Sequence, residues 1–97
     1  MAETQSWYVY ILKCSDDTLY TGITTDTIRR LKEHNNGTGA RYTRARLPVK
    51  LVYETGAQNR SEASGLEYRI KKLSRKQKIQ LIKNQSRLNS GDNKIFC

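Results

Sequence analysis

WYVYILKC (Trp7–Cys14), SDD (Ser15–Asp17) and TLYTGIT (Thr18–Thr24) follow one another near the start of the chain, and their reading decides the fold. The first segment is almost continuously apolar, rich in aromatic and β-branched side chains, and too short for an ordinary helix. Those properties predict a strand covered on both faces, hence central in its sheet. Ser15, Asp16 and Asp17 carry turn chemistry, and Thr18–Thr24 returns as the second strand of a hairpin. Loop length sets the register. With a three-residue loop, Cys14 opposes Thr18 and Tyr10 opposes Gly22, so Tyr8, Tyr10, Leu12, Tyr20, Gly22 and Thr24 share one face. With a two-residue loop, Tyr10 and Tyr20 fall on opposite faces. The local sequence does not choose between them.

Beyond the hairpin, Thr25 or Asp26 caps a helix running to about Asn36, with Gly37 as its stop. Ile28 and Leu31 form its expected inner stripe, and Arg30 and His34 lie one turn apart on a neighbouring face. Gly37–Pro48 reads as a long, polar, basic loop with one aromatic, Tyr42. Val49–Thr55 is a third strand. Asn59 with Glu62 has the form of a capping box and opens a helix whose inner positions are Ala63, Leu66, Ile70 and Leu73. Ser74 with Gln77 repeats that signature and opens a last helix to about Lys83, with Ile79 and Ile82 turned inward. The predicted class is α/β: a small three-stranded antiparallel sheet flanked by helices, in the order β-β-α-β-α-α. The domain is expected over 7–84, after a flexible leader (1–6) and before a flexible polar tail (85–97).

The chain has 97 residues, enough for one core and not two. Eighteen Lys and Arg against nine acids leave a net charge of +9. An excess of that size suits a polyanion, either nucleic acid or an anionic membrane surface, and equally a solvated surface or association with the ribosome. No stretch approaches the length of a membrane span, so a soluble protein is expected. Cys14, Cys97 and His34 cannot assemble a zinc site, and the two cysteines read as free thiols in a reducing cytoplasm.

Four groups of residues carry potential chemistry. Glu67 falls on or beside the inward stripe of its helix, where a carboxylate loses hydration and needs compensation. An ion pair with a nearby cation supplies it; so does a hard divalent ion such as Mg²⁺, which takes one or two carboxylates plus water and phosphate oxygens. Tyr8, Tyr10 and Tyr20 suit a strand on propensity alone, yet a phenol beside a cation also relays protons. Arg30 and His34 pair a permanent charge able to grip phosphate with a group that titrates near neutrality, although the same residues suit a solvated helix face. Arg29 and Lys32 crowd that helix with further positive charge. Arg41, Tyr42, Arg44 and Arg46 interleave cations with an aromatic, and Lys71, Lys72 and Arg75 continue a second basic run; both suit a nucleic-acid surface or plain solubilising charge.

Tyr8-Val9-Tyr10, followed ten residues later by Tyr20-Thr21-Gly22, resembles the paired triplets that name the GIY-YIG endonuclease superfamily. Arg30 stands where that family places an arginine, His34 completes the R-x-x-x-H arrangement of several branches, and Glu67 lies on the helix that carries the family's metal-binding glutamate. The resemblance covers roughly Trp7–Lys83 and is nearest to short stand-alone bacterial members, the YhbQ-like group. Two positions depart from the pattern: Tyr8 replaces the first glycine of GIY, and Thr21 the isoleucine of YIG. Ile23 also replaces a lysine frequent in the excision-repair branch. The resemblance implies a cytoplasmic, monomeric endonuclease that hydrolyses DNA, rather than RNA, at branched, damaged or single-stranded sites as in DNA repair. It implies one ion, Mg²⁺ or Mn²⁺, on Glu67, with Arg30 neutralising phosphate charge. Tyr10, Tyr20 or His34 would handle the proton of the attacking water. The alternative is a non-catalytic nucleic-acid binding module that keeps the fold and the basic surface.

Overall fold

The computed structural model describes residues 6–92, with side chains through residue 85. Strand β1 (Trp7–Lys13) lies between β2 (Leu19–Thr24) and β3 (Lys50–Ala57), antiparallel to both. Val9, Tyr10, Ile11 and Leu12 are each at most 2% exposed. Successive side chains of a strand point to opposite faces, so four buried in a row require cover on both. The three-residue loop is the one adopted: Cys14 N–H donates to the Thr18 carbonyl at 2.9 Å and Tyr10 pairs with Gly22. Asp17, at φ 72, takes the left-handed position that closes this loop.

Each face has its own apolar layer. Val9 and Ile11 pack with Ala63 and Ile70 of α3 (Arg60–Lys71) and with Leu81 and Ile82 of α4 (Arg75–Asp92). On the opposite face Tyr10, Leu12, Cys14 and Val49 pack with Tyr20, Leu47 and Leu51 and with Leu31 of α1 (Thr27–Asn35). Two side-chain amides tie the outer elements to the sheet by mimicking a strand neighbour. Asn35 bonds both backbone groups of Val49, at 3.1 and 2.8 Å. Gln85 does the same for Glu54 on the open edge of β3, at 2.7 and 3.2 Å.

The helix starts follow the expected caps. Asp26 accepts from Arg29 N–H, Asn59 from Glu62 N–H, and Ser74 from Gln77 N–H, while Gln77 returns a bond to Ser74 N–H. Glu62 reaches one residue further back than a standard box and accepts from Gln58 N–H. Gly37, at φ 84, ends α1.

Four expectations are corrected. Ile28 does not face inward; it is 69% exposed, because α1 turns Thr27, Leu31 and His34 to the sheet and Ile28 lies a quarter-turn away. The segment Gly37–Pro48 is not wholly loop, since it carries a one-turn helix, α2 (Arg41–Arg44). Strand β3 runs to Ala57, with a bulge at Val52. The last helix passes Lys83 and continues to Asp92, so the polar segment from Gln85 begins as helix. Residues 1–5 of the expected leader and 93–97 of the tail, including Cys97, lie outside the described residues. Cys14 is a buried free thiol.

Candidate active site

Gly22 shapes the site by having no side chain. A Cβ there would stand 2.6 Å from Tyr10 Oη and 2.7 Å from its Cζ, so the Tyr10 ring lies directly across the β2 backbone. In that position Tyr10 Oη is 2.9 Å from His34 Nε2. The imidazole is fully buried, and its other nitrogen, Nδ1, is 2.8 Å from Thr43 Oγ1 on α2. Gly39 permits this from the far side: a Cβ there would meet His34 Nδ1 at 2.5 Å.

Electrostatics polarises the pair. Burial pushes the Tyr10 phenol up to about 12; the neighbouring Arg30 guanidinium pulls against that shift, while Tyr20 and the Glu67 carboxylate add to it. Burial, then the charge of Arg30, lowers the His34 pKa below its ordinary value. At neutral pH the pair is therefore a protonated phenol facing a neutral imidazole. Arg30 is held in place by Glu33, whose Oε1 accepts from Nη1 at 2.8 Å, and Arg29 pairs with the same carboxylate at 3.5 Å.

Tyr20 packs edge-on against His34, with centroids 5.4 Å apart, and stacks on Tyr42 at 6.0 Å. The Arg46 guanidinium lies 3.9 Å over the Tyr42 ring, bonds the Tyr42 carbonyl at 2.8 Å and pairs with Asp16 at 3.0 Å. Arg46 is thus committed to internal contacts that clamp α2 to the hairpin, whereas Arg41 and Arg44 are exposed. An open cleft of about 280 Å³ runs along the β2 edge, lined by Leu19, Tyr20, Thr21, Tyr42, Lys71 and Lys78.

Glu67 comes from α3, which packs on the sheet face opposite the Tyr10 layer. Its side chain is 23% exposed, and Oε2 pairs with Lys71 Nζ at 3.1 Å. It neither projects freely into solvent nor sits sealed in the core. Among the described residues no cluster of three or more His, Cys, Asp and Glu forms a closed metal site. A single, partly exposed carboxylate whose partner Lys71 lines the cleft has the hard oxygen donors that suit a hydrated Mg²⁺-type ion, which takes one or two carboxylates and completes its shell with water and substrate oxygens. It does not fit zinc held by protein ligands alone.

Tyr8 stands apart from this group and borders a separate hollow with Asp26, Ile28 and Glu54. Thr21, in the isoleucine position of the second triplet, is 3% exposed, and its hydroxyl has no partner among the described residues. Lys72 lies 4.8 Å from the Tyr68 ring on the exposed side of α3, and Arg75 is exposed at the start of α4. Sequence reasoning overlooked Thr43 and Gly39. Nothing in hydropathy marks a threonine in an arginine-rich segment as a buried contact.

The three-stranded antiparallel sheet thus carries an arginine and a histidine on one flanking helix, phenols on its first two strands and a glutamate on another helix. The family model described as the GIY-YIG catalytic domain matches residues 6–80, and the chain belongs to that family. Among its relatives, a UPF0213 protein of Clostridium perfringens is 60% identical over 79 residues, covering 81% of this chain and 85% of that one. A UPF0213 protein of Bacillus halodurans, solved by NMR in solution, is 43% identical with a TM-score of 0.57, covering 93% and 96% of the two chains. A protein of E. faecalis solved in the same way gives 45% and 0.58, covering 89% and 92%. No helix among the described residues is long and apolar enough to cross a membrane.

Proposed function

We propose that this chain is an endonuclease that hydrolyses phosphodiester bonds in DNA with one divalent ion, Mg²⁺ or Mn²⁺, held by Glu67. The observation that carries the reading is the buried Tyr10–His34 bond of 2.9 Å with the Arg30 guanidinium beside it. When bound, the ion supplies Lewis acidity at the scissile phosphate and at the leaving oxygen. Arg30 binds a non-bridging oxygen and stabilises the charge that grows there as water attacks. Water's oxygen forms the new bond to phosphorus while the bond to the leaving oxygen breaks. Tyr10 accepts the water proton as its own proton passes to Nε2 of His34. His34 is fully buried, so it acts through the phenol and not on water directly. Tyr20, the more exposed phenol of the two, orients the water. Arg29, Arg41, Arg44, Lys71, Lys72 and Arg75 hold flanking phosphates.

The Lys71–Glu67 pair must open to admit the ion. Its lysine is half exposed, and such a pair is worth about 0–1 kcal/mol, so displacement costs little.

Incubation with supercoiled plasmid and with branched DNA, in Mg²⁺, in Mn²⁺ or in chelator, tests the proposal. The wild type should nick in either metal and not in chelator, while Glu67→Gln should bind DNA without cutting it. Equal nicking by Glu67→Gln, or nicking in chelator, would remove the metal site from the reading. Salt-sensitive binding by a wild type that cuts no DNA would leave a non-catalytic nucleic-acid binding module.

A further inference from the structure

We propose that Thr43 is a positioning residue that holds His34 in the Nδ1–H tautomer, so that Nε2 faces Tyr10 as a bare proton acceptor. Thr43 Oγ1 has two close neighbours: His34 Nδ1 at 2.8 Å and the Ala40 carbonyl oxygen at 3.0 Å. A carbonyl only accepts, and a hydroxyl has one proton to give. The Thr43 proton goes to Ala40, so the proton between Thr43 and the imidazole belongs to Nδ1. A neutral ring carries one N–H, which leaves Nε2 with a lone pair 2.9 Å from Tyr10 Oη. The phenol donates.

The opposite tautomer needs Thr43 to donate to Nδ1, which takes that proton from Ala40 O and makes Nε2–H the donor to Tyr10. Its sole support is the Ala40 N–H, 3.5 Å from Nδ1, the longest contact in the set. The 2.8 Å contact between Thr43 and the ring is kept in either tautomer, so the choice lies between a 3.0 Å bond to Ala40 O and a 3.5 Å bond at the limit of hydrogen bonding, and the shorter one wins. The setting raises the stakes. His34 and Thr43 are both fully buried, and Gly39 packs against the Nδ1 side so closely that a Cβ would touch the ring. Burial, with the charge of Arg30 beside it, also keeps the ring neutral, so that it carries a single N–H.

The direction of this bond decides what His34 can do. With Nε2 bare, the imidazole takes the Tyr10 proton; with Nε2 protonated, it takes none. That catalytic consequence rests on the nuclease reading above, whereas the tautomer itself does not. Thr43 touches neither the cleft nor the phenol. It acts only through His34.

His34 is the one histidine of the chain, so long-range ¹H–¹⁵N correlation on the untagged, ¹⁵N-labelled protein at pH 7 reports its ring without ambiguity. The wild type and Thr43→Ser should show Nδ1 protonated and Nε2 bare. Thr43→Val, which keeps the shape and deletes the hydroxyl, should shift the ring towards Nε2–H. On DNA, Thr43→Val should lose about 10–100-fold in kcat with KM unchanged, the scale expected on removing a group that orients a functional imidazole, and Thr43→Ser should recover it. A wild-type ring protonated at Nε2 or at both nitrogens overturns the proposal, as does a Thr43→Val ring unchanged from wild type. If Thr43→Val fails to fold, the wild-type spectrum alone decides. The expected tautomer in a protein that cuts no DNA supports the assignment and refutes the nuclease reading instead.

Discussion

Substituting Gly22 by Ala tests whether the site depends on the close approach of Tyr10 to the β2 backbone. The new Cβ would lie 2.6 Å from Tyr10 Oη, 2.7 Å from Cζ and 3.2 Å from Tyr20 Cε2. Comfortable carbon contacts begin near ~3.5 Å, so the phenol or the strand must shift by about 0.8–0.9 Å. Neither yields easily. The Tyr10 ring is 2% exposed, and β2 is hydrogen-bonded to β1 along its length. Overpacking of this kind costs about 1–3 kcal/mol. Losing the 2.9 Å bond to His34 leaves a buried phenol and imidazole unsatisfied, about 1–3 kcal/mol more. Replacing glycine within a strand returns roughly 0.5–1 kcal/mol of chain entropy. The net loss is about 1–5 kcal/mol, centred near 3, a large share of the roughly 5–15 kcal/mol that holds a domain of this size. Urea unfolding followed by circular dichroism should show the midpoint fall with the slope unchanged. Plasmid nicking, under conditions where G22A remains folded, should fall about 100-fold, the usual cost of misplacing a reacting group by about 1 Å. A G22A protein within about 0.5 kcal/mol of wild type and equally active would refute the argument.

Thr21→Val should stabilise the protein by about 1 kcal/mol, because it removes a buried hydroxyl with no partner and keeps the shape; a lower urea midpoint would mean that the hydroxyl is satisfied after all. His34, kept neutral by burial, has a folded pKa below its unfolded value of about 6.5, so on acidification the unfolded chain takes up a proton that the folded one refuses. Stability should accordingly be flat above about pH 7 and decline below it by up to about 1.4 kcal/mol per pH unit, before the depressed carboxyls of Asp16 and Glu33 begin to protonate. A His34→Gln protein with the same slope in urea titrations between pH 5 and 7 would rule that out. Gln85→Ala should cost about 1 kcal/mol by unpairing the Glu54 backbone, and it should raise self-association in sedimentation by opening the β3 edge; unchanged sedimentation at high concentration would show that the edge is protected in another way.

Much of the framework was legible in the order of residues because its causes are local. A continuous apolar run placed β1 in the middle of the sheet. Asp26, Asn59 and Ser74 announced their helices through bonds that span three residues, and Gly37 stopped α1 through its own backbone freedom. The spacing of Tyr10, Tyr20, Arg30, His34 and Glu67 marked the candidate site through its resemblance to a family. Other features depended on contacts between distant segments. Hydropathy placed Ile28 inside α1 and treated His34 as surface, since it scores each side chain without its partner. His34 is buried because Tyr10 and Thr43, 24 and 9 residues away, satisfy both its nitrogens, and Thr27 because Glu54 accepts its hydroxyl across 27 residues. The hairpin register and the insertion of α2 behind the imidazole both arose from packing. A polar group changes from costly to stable inside a protein when its partner arrives, and only the tertiary structure brings the partner.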